Sequence, residues 1–157
     1  MYLETTVVSY LTAWPSRDVV IAGHQQSTRD WWKSCPTRFE VVASELVLRE
    51  AGEGDLEAIR DRMAVLNKLP LMEISGEALV LARQLVGDAA IPKKAGEDAL
   101  HLAIAATNGI EYLVTWNCRH LANATIREKI EAVCRTAGFQ PPIICTPEEL
   151  LEVDSDD

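Results

Sequence analysis

The chain has 157 residues, 48% of them hydrophobic and 25% charged, a balance that fits one globular domain with its own core rather than two domains or a chain dominated by disorder. Lys and Arg number 15 against 24 Asp and Glu, a formal net charge of -9, so the molecule as a whole repels polyanions. Any contact with nucleic acid needs acids neutralised by cations, or a local basic rim.

No apolar run approaches the roughly 18 residues of a membrane span. The N-terminal MYLETTVVSYL carries an early acid and no basic leader region. A soluble, unexported, cytoplasmic protein without membrane contact is expected. The four cysteines, Cys35, Cys118, Cys134 and Cys145, show no CxxC spacing, which favours reduced thiols, mostly packed in the core, over a zinc knuckle or a disulfide framework.

Met1 to Leu3 reads as a short buried strand running into a helix through Leu11, closed by Pro15. From about Arg17 to Lys33 the positions Val19, Val20, Ile21, His24, Thr28, Trp31 and Trp32 recur at helical spacing, and Pro36 is expected to stop that helix. Glu40 to Ala43 reads as a second strand, with Ser44 as the cap of a helix through Glu50. After the AGEGD turn, Asp55 to Leu69 keeps Leu56, Ile59, Met63, Leu66 and Leu69 on one face of a helix ended by Pro70. Leu71 to Ile74 predicts a strand, and Ser75 caps a helix to about Val86 with Ala78, Leu79, Ala82 and Leu85 inward. A loop follows, then Asp98 opens the apolar helix ALHLAIAAT, broken at Asn108 and Gly109. Tyr112 to Thr115 predicts a strand buried on both faces. A loop from Trp116 to Ala122 leads to a helix from about Ala124 to Ala137 with Gly138 after it, then to the strand Ile143 to Cys145. Thr146 caps a last short helix, PEELL. The acids of the end segment 152–157, among them Asp154, Asp156 and Asp157, predict a flexible tail on a domain spanning 1–151.

Strands alternating with helices predict an α/β fold with a mostly parallel central sheet. Ligands of such sheets sit outside the carboxyl ends of the strands, which points to Glu4, Ser44, Ser75, Trp116 with Asn117, and Thr146. Glu4 follows the first strand, Glu50 ends the helix after the second, Asp98 opens the apolar helix, and Asn117 follows the YLVT strand. Scattered oxygen donors at one sheet edge suit a hard divalent cation such as Mg2+ or Mn2+. Asp98 reads equally as a charge favouring a helix N-terminus.

YLETTVVSYL resembles the opening of PIN domains, where a strand ends in an acid followed by Thr. ASELVLREAG resembles their second motif, with Glu50 as its acid. IPKKAGEDALHLAIAATNGIEYLVTWNCRHLANA looks like the third and fourth motifs of the VapC-like branch, and TPEELL resembles the usual ending. The resemblance implies a three-layer α/β/α fold, an Mg2+ or Mn2+ site, and endoribonuclease action as the toxin of a type II toxin-antitoxin pair. Carried over by position, Glu4, Glu50 and Asp98 are metal ligands and Asn117 takes the fourth acidic place. Such domains more often have Asp at the first and fourth places. Asn117 removes one negative charge, which implies one metal, or a second bound only with substrate.

The implied chemistry is hydrolysis of an RNA phosphodiester by water that the ion activates. Thr6 is placed to hydrogen-bond Glu4 or the phosphate, and Thr115 to support the fourth position from behind. Glu97 reads as an outer acid or as a solvated first-turn residue. His101, a turn after Asp98, reads as a core or supporting histidine, because imidazole is a poor partner for Mg2+. His120 and Arg119 are better placed to meet phosphate, with Lys93, Lys94 and Arg127 completing a basic rim. Trp31 and Trp32 point about 100° apart on a helix, so both cannot share one core face. The resemblance implies that the early helices receive an antitoxin segment; packing within the monomer or a homodimer is the other reading. Two further readings compete: a PIN-like module that binds RNA or protein without cutting, and a response-regulator-like domain. The second requires an Asp after a central strand, and the positions after the strands hold none.

Overall fold

A computed structural model describes residues 1–88 and 90–152. Five short strands carry the sheet: Tyr2–Leu3 (β1), Ala43–Ser44 (β2), Leu71–Met72 (β3), Tyr112–Val114 (β4) and Ile143–Cys145 (β5). β4 lies between β1 and β5, with Leu3 opposite Val114 and Leu113 opposite Ile144. β2 pairs with β3, and a parallel bridge between Tyr2 and Val42 joins this pair to β1. The order across the sheet is therefore β3-β2-β1-β4-β5, and every described pairing is parallel. Leu3, Leu113 and Val114 are fully buried, as in a sheet whose faces are both covered.

The connections are helices: Thr5–Thr12 (α1), Val19–Arg38 (α2), Glu45–Ala51 (α3), Leu56–Leu66 (α4), Gly76–Gly87 (α5), Gly96–Thr107 (α6) and Ala124–Thr136 (α7). α1 packs against α2, α3 and α4, while α5 packs against α6 and α7. Ser44 and Ser75 cap α3 and α5 through bonds from the amides of Val47 and Ala78, as their positions before the apolar periods predicted. Gly138 follows α7 at φ 88°, a left-handed conformation that costs residues with a Cβ. α6 runs from a 3-10 turn at Lys93–Ala95 and begins at Gly96, so Asp98 lies inside the first turn rather than opening the helix.

Several expectations need correction. Pro36 sits inside α2, which continues to Arg38. A proline near the end of a helix forfeits one N–H bond, and the amide of Phe39 still closes on the Cys35 carbonyl at 2.9 Å. The second and third strands are each two residues long, paired over Ala43–Leu71 and Ser44–Met72, and the bridge at Val42 stands apart from them. Leu56 is 83% exposed in the first turn of α4. In α5 the buried set is Ala78, Leu81, Ala82 and Leu85, with Leu79 exposed, since α5 lies along α6 on a face rotated from the one predicted. The neighbouring tryptophans divide as the helix geometry requires, Trp31 buried and Trp32 half-buried.

Cys35, Cys134 and Cys145 are buried and Cys118 is exposed, all as free thiols. No helix among the described residues is long and apolar enough to cross a membrane. Of the expected tail only Glu152 is described, and its carboxylate lies 3.3 Å from Nε of Arg38; residues 153–157, with Asp154, Asp156 and Asp157, lie outside the described residues.

Candidate metal centre at the carboxyl edge of the sheet

Because the strands are parallel, their carboxyl ends share one edge, and β1, β2 and β4 deliver the central residues of the site there. Glu4 leaves β1 and caps α1, its Oε2 accepting from the amide of Thr6 at 3.2 Å. The same oxygen accepts from the Thr6 hydroxyl at 2.5 Å and from the buried Thr115 hydroxyl at 2.8 Å. Glu4 is 4% exposed, and its Oε1 has no hydrogen bond among the described residues. One carboxylate oxygen is thus fixed by three donors while the other faces the pocket.

Glu50 reaches the same pocket from the end of α3. Its Oε1 accepts from the Thr5 hydroxyl at 2.5 Å and lies 2.6 Å from Nε2 of His101. Burial pushes the Glu50 carboxyl up, but the bond from His101, the charge of that ring when protonated and the Thr5 bond outweigh it, leaving the group below the usual range. His101 is fully buried in α6. Its Nδ1 lies 2.7 Å from the Tyr2 hydroxyl, which lies 2.7 Å from Oγ of Ser44. Ionised Glu50 only accepts, so the ring hydrogen belongs on Nε2. With a neutral ring the remaining hydrogens then run from Ser44 to Tyr2 to His101 to Glu50. Burial pushes the Tyr2 phenol far up, so the proton it donates stays in place.

Glu97 is exposed at the rim, 3.8 Å from Arg49. Partial burial and then the negative charge of Glu50 push its carboxyl up.

Donor atoms of Glu4, Glu50 and His101 lie within 4.8 Å of one another. Asp98 is outside that set. Its Oδ2 lies 2.9 Å from Nδ1 of His120, and its Oδ1 has no hydrogen bond among the described residues. Asn117 uses its side chain inside its own loop, Oδ1 accepting from the His120 amide at 3.0 Å. The backbone N–H of Asn117 in turn donates to Thr115 Oγ1 at 2.9 Å, so Thr115 joins the first and fourth expected positions through one hydroxyl. Thr6 also accepts from the Trp116 amide at 2.9 Å. Lys93 and Lys94 share a cleft with Glu97 and Asp98, whereas Arg127 lines a different cleft with Glu131 and Arg135. Arg119 is exposed on the loop after β4.

Sequence reasoning missed Thr5, Tyr2 and the second role of Ser44. Ser44 was legible as a cap, but its contact with Tyr2 requires β2 to lie beside β1. Two carboxylates with a free oxygen between them form a donor set that fits a hard divalent cation. Comparison with protein-family models, with curated proteins and with solved structures finds no match to this chain.

Proposed function

We propose that the chain is a PIN-type, VapC-like endoribonuclease of three-layer α/β/α build, dependent on Mg2+ or Mn2+, and the toxin of a type II pair. One observation carries the reading: Glu4 and Glu50, 46 positions apart in sequence, converge with His101 in one pocket at the carboxyl edge of a parallel sheet. In this reading Glu4 and Glu50 hold the ion. Asp98 is assigned as a further ligand and Asn117 takes the fourth position.

When bound, the ion supplies polarisation of a water and of the phosphoryl oxygens. The chain's own residues do the positioning. Thr6 and Thr115 hold one oxygen of Glu4, Thr5 holds one of Glu50, and Lys93, Lys94, Arg119 and His120 receive the phosphates of the RNA. An antitoxin segment is assigned to the surface of the early helices, where Trp14 between α1 and α2 and Val19 and Val20 at the start of α2 are 82%, 86% and 66% exposed. A second copy of the chain is assigned as homodimer partner.

A second reading has its own support. Asn117 Oδ1 and Asp98 Oδ2 are engaged by His120, as suits a PIN-like module that binds RNA or protein without cutting. Replacing Asp98 by Ala separates the two readings. Loss of Mn2+-dependent RNA cleavage with an unchanged circular dichroism spectrum supports the nuclease. Full activity in that variant ends the proposal.

A further inference from the structure

We infer that His101 enters the inner coordination sphere, so that Glu4, Glu50 and His101 form a mixed nitrogen–oxygen centre that prefers a divalent transition metal to Mg2+. The inference rests on the reading that this pocket binds a divalent ion, and it departs from the oxygen-only set that Glu4, Glu50, Asp98 and Asn117 would make.

Three observations carry it. First, the ring is fully buried in α6, yet Nε2 is turned to the pocket, 2.6 Å from Glu50 Oε1 and 3.9 Å from Glu4 Oε1. Second, Glu4 is 4% exposed and its Oε1 lacks a donor. That oxygen keeps contact with solvent and lies 3.9 Å from Nε2, so a cation can sit between the two atoms. Third, Nδ1 meets the Tyr2 hydroxyl rather than apolar surroundings.

That third contact matters because a ligating imidazole must bind through a nitrogen without hydrogen, and its other N–H then needs an acceptor. Tyr2 provides one. With the ion present, Nδ1–H donates to the Tyr2 oxygen, whose own hydrogen turns to Ser44 Oγ, 2.7 Å away. The ring carries one N–H in both arrangements, exchanged through water from Nε2 to Nδ1, so the proton count is unchanged. Tyr2 and Ser44 serve either direction by rotating their hydroxyls. Imidazole beside two carboxylates favours the later first-row divalent ions over Mg2+, which prefers oxygen and retains water.

The test is pulsed electron paramagnetic resonance of the whole chain carrying ring-15N histidine, with Mn2+ as the probe, beside calorimetric titrations with Mn2+ and Mg2+. The chain has three histidines, so His24→Gln and His120→Gln control for the others. The inference predicts a directly bound nitrogen in the wild type and both controls, and its loss in His101→Gln. It also predicts Mn2+ affinity at least about tenfold above Mg2+, weakened about tenfold or more by Tyr2→Phe. The decisive measurement is made on the wild type, so a misfolded His101 variant does not obscure it. Bound Mn2+ without nitrogen coupling, or coupling lost only in His120→Gln, overturns the inference and leaves the nuclease reading standing. Coupling at His101 with no RNA cleavage upholds the inference and removes the nuclease. No bound Mn2+ overturns both.

Discussion

Replacing Thr115 by Val keeps the volume of a fully buried side chain and removes one hydroxyl that is used twice. The hydroxyl donates to the Glu4 carboxylate at 2.8 Å and accepts from the Asn117 amide at 2.9 Å. A hydrogen bond to a charged group contributes about 1.5–3 kcal/mol. Asn117 is half-buried, so its stranded backbone N–H can recover part of the loss from water. The expected destabilisation is about 2–4 kcal/mol, read as a fall in the urea midpoint with an unchanged slope. A double-mutant cycle with Glu4→Gln isolates the coupling at about 1 kcal/mol or more, since the charge-assisted component is absent when the carboxylate is. With Glu4 no longer fixed on that side, Mn2+ binding should weaken about tenfold or more. Stability within about 0.5 kcal/mol of wild type, the range of ordinary surface changes, together with a coupling near zero, would refute the account of Thr115 as the common support of both positions.

Glu97→Gln tests the repulsion at the rim. The raised Glu97 carboxyl favours the folded state when protonated and loses that contribution as pH rises through the raised value. The variant should therefore match wild type near about pH 4 and become the more stable of the two near about pH 8 in metal-free buffer; equal urea midpoints at both pH values would remove Glu50 as the cause. For the thiols, burial pushes Cys35 and Cys134 up to about 11 and Cys145 up to about 12. Ellman's reagent should therefore find one thiol, Cys118, in the native protein, none in native Cys118→Ser, and all four cysteines of the wild type in urea.

Much of the frame was legible because local signals and tertiary packing agree. Ser44, Ser75 and Gly138 occupy the positions their chemistry dictates, and the run at Tyr112 to Val114 is a strand in which Leu113 and Val114 are fully buried. The misses share a cause. Leu56 and Leu79 have the helical period of buried residues, but which side of a helix is covered is decided by its neighbour, and α5 meets α6 on a rotated face. Pro36 was read from its usual effect in mid-helix, although so close to the end of α2 it removes only one bond. At the pocket, Glu4 and Glu50 could be selected because each stands near the end of an element. Asp98 had the same warrant, yet its carboxylate is held by His120, a contact that depends on how the loop after β4 folds back. Tyr2 could not be selected at all, since its role comes from β1 lying between β2 and β4.

The join between the two halves of the sheet has a mechanical consequence. Val42 and β1 are tied by two backbone bonds, from the Leu3 amide to the Val42 carbonyl and from the Val42 amide to the Met1 carbonyl, each 2.9 Å. Glu4 stands on one side of that seam and Glu50, carried by the helix after β2, on the other. A cation gripping both acids would act as a rivet across this seam, and amide protons flanking it should then exchange more slowly.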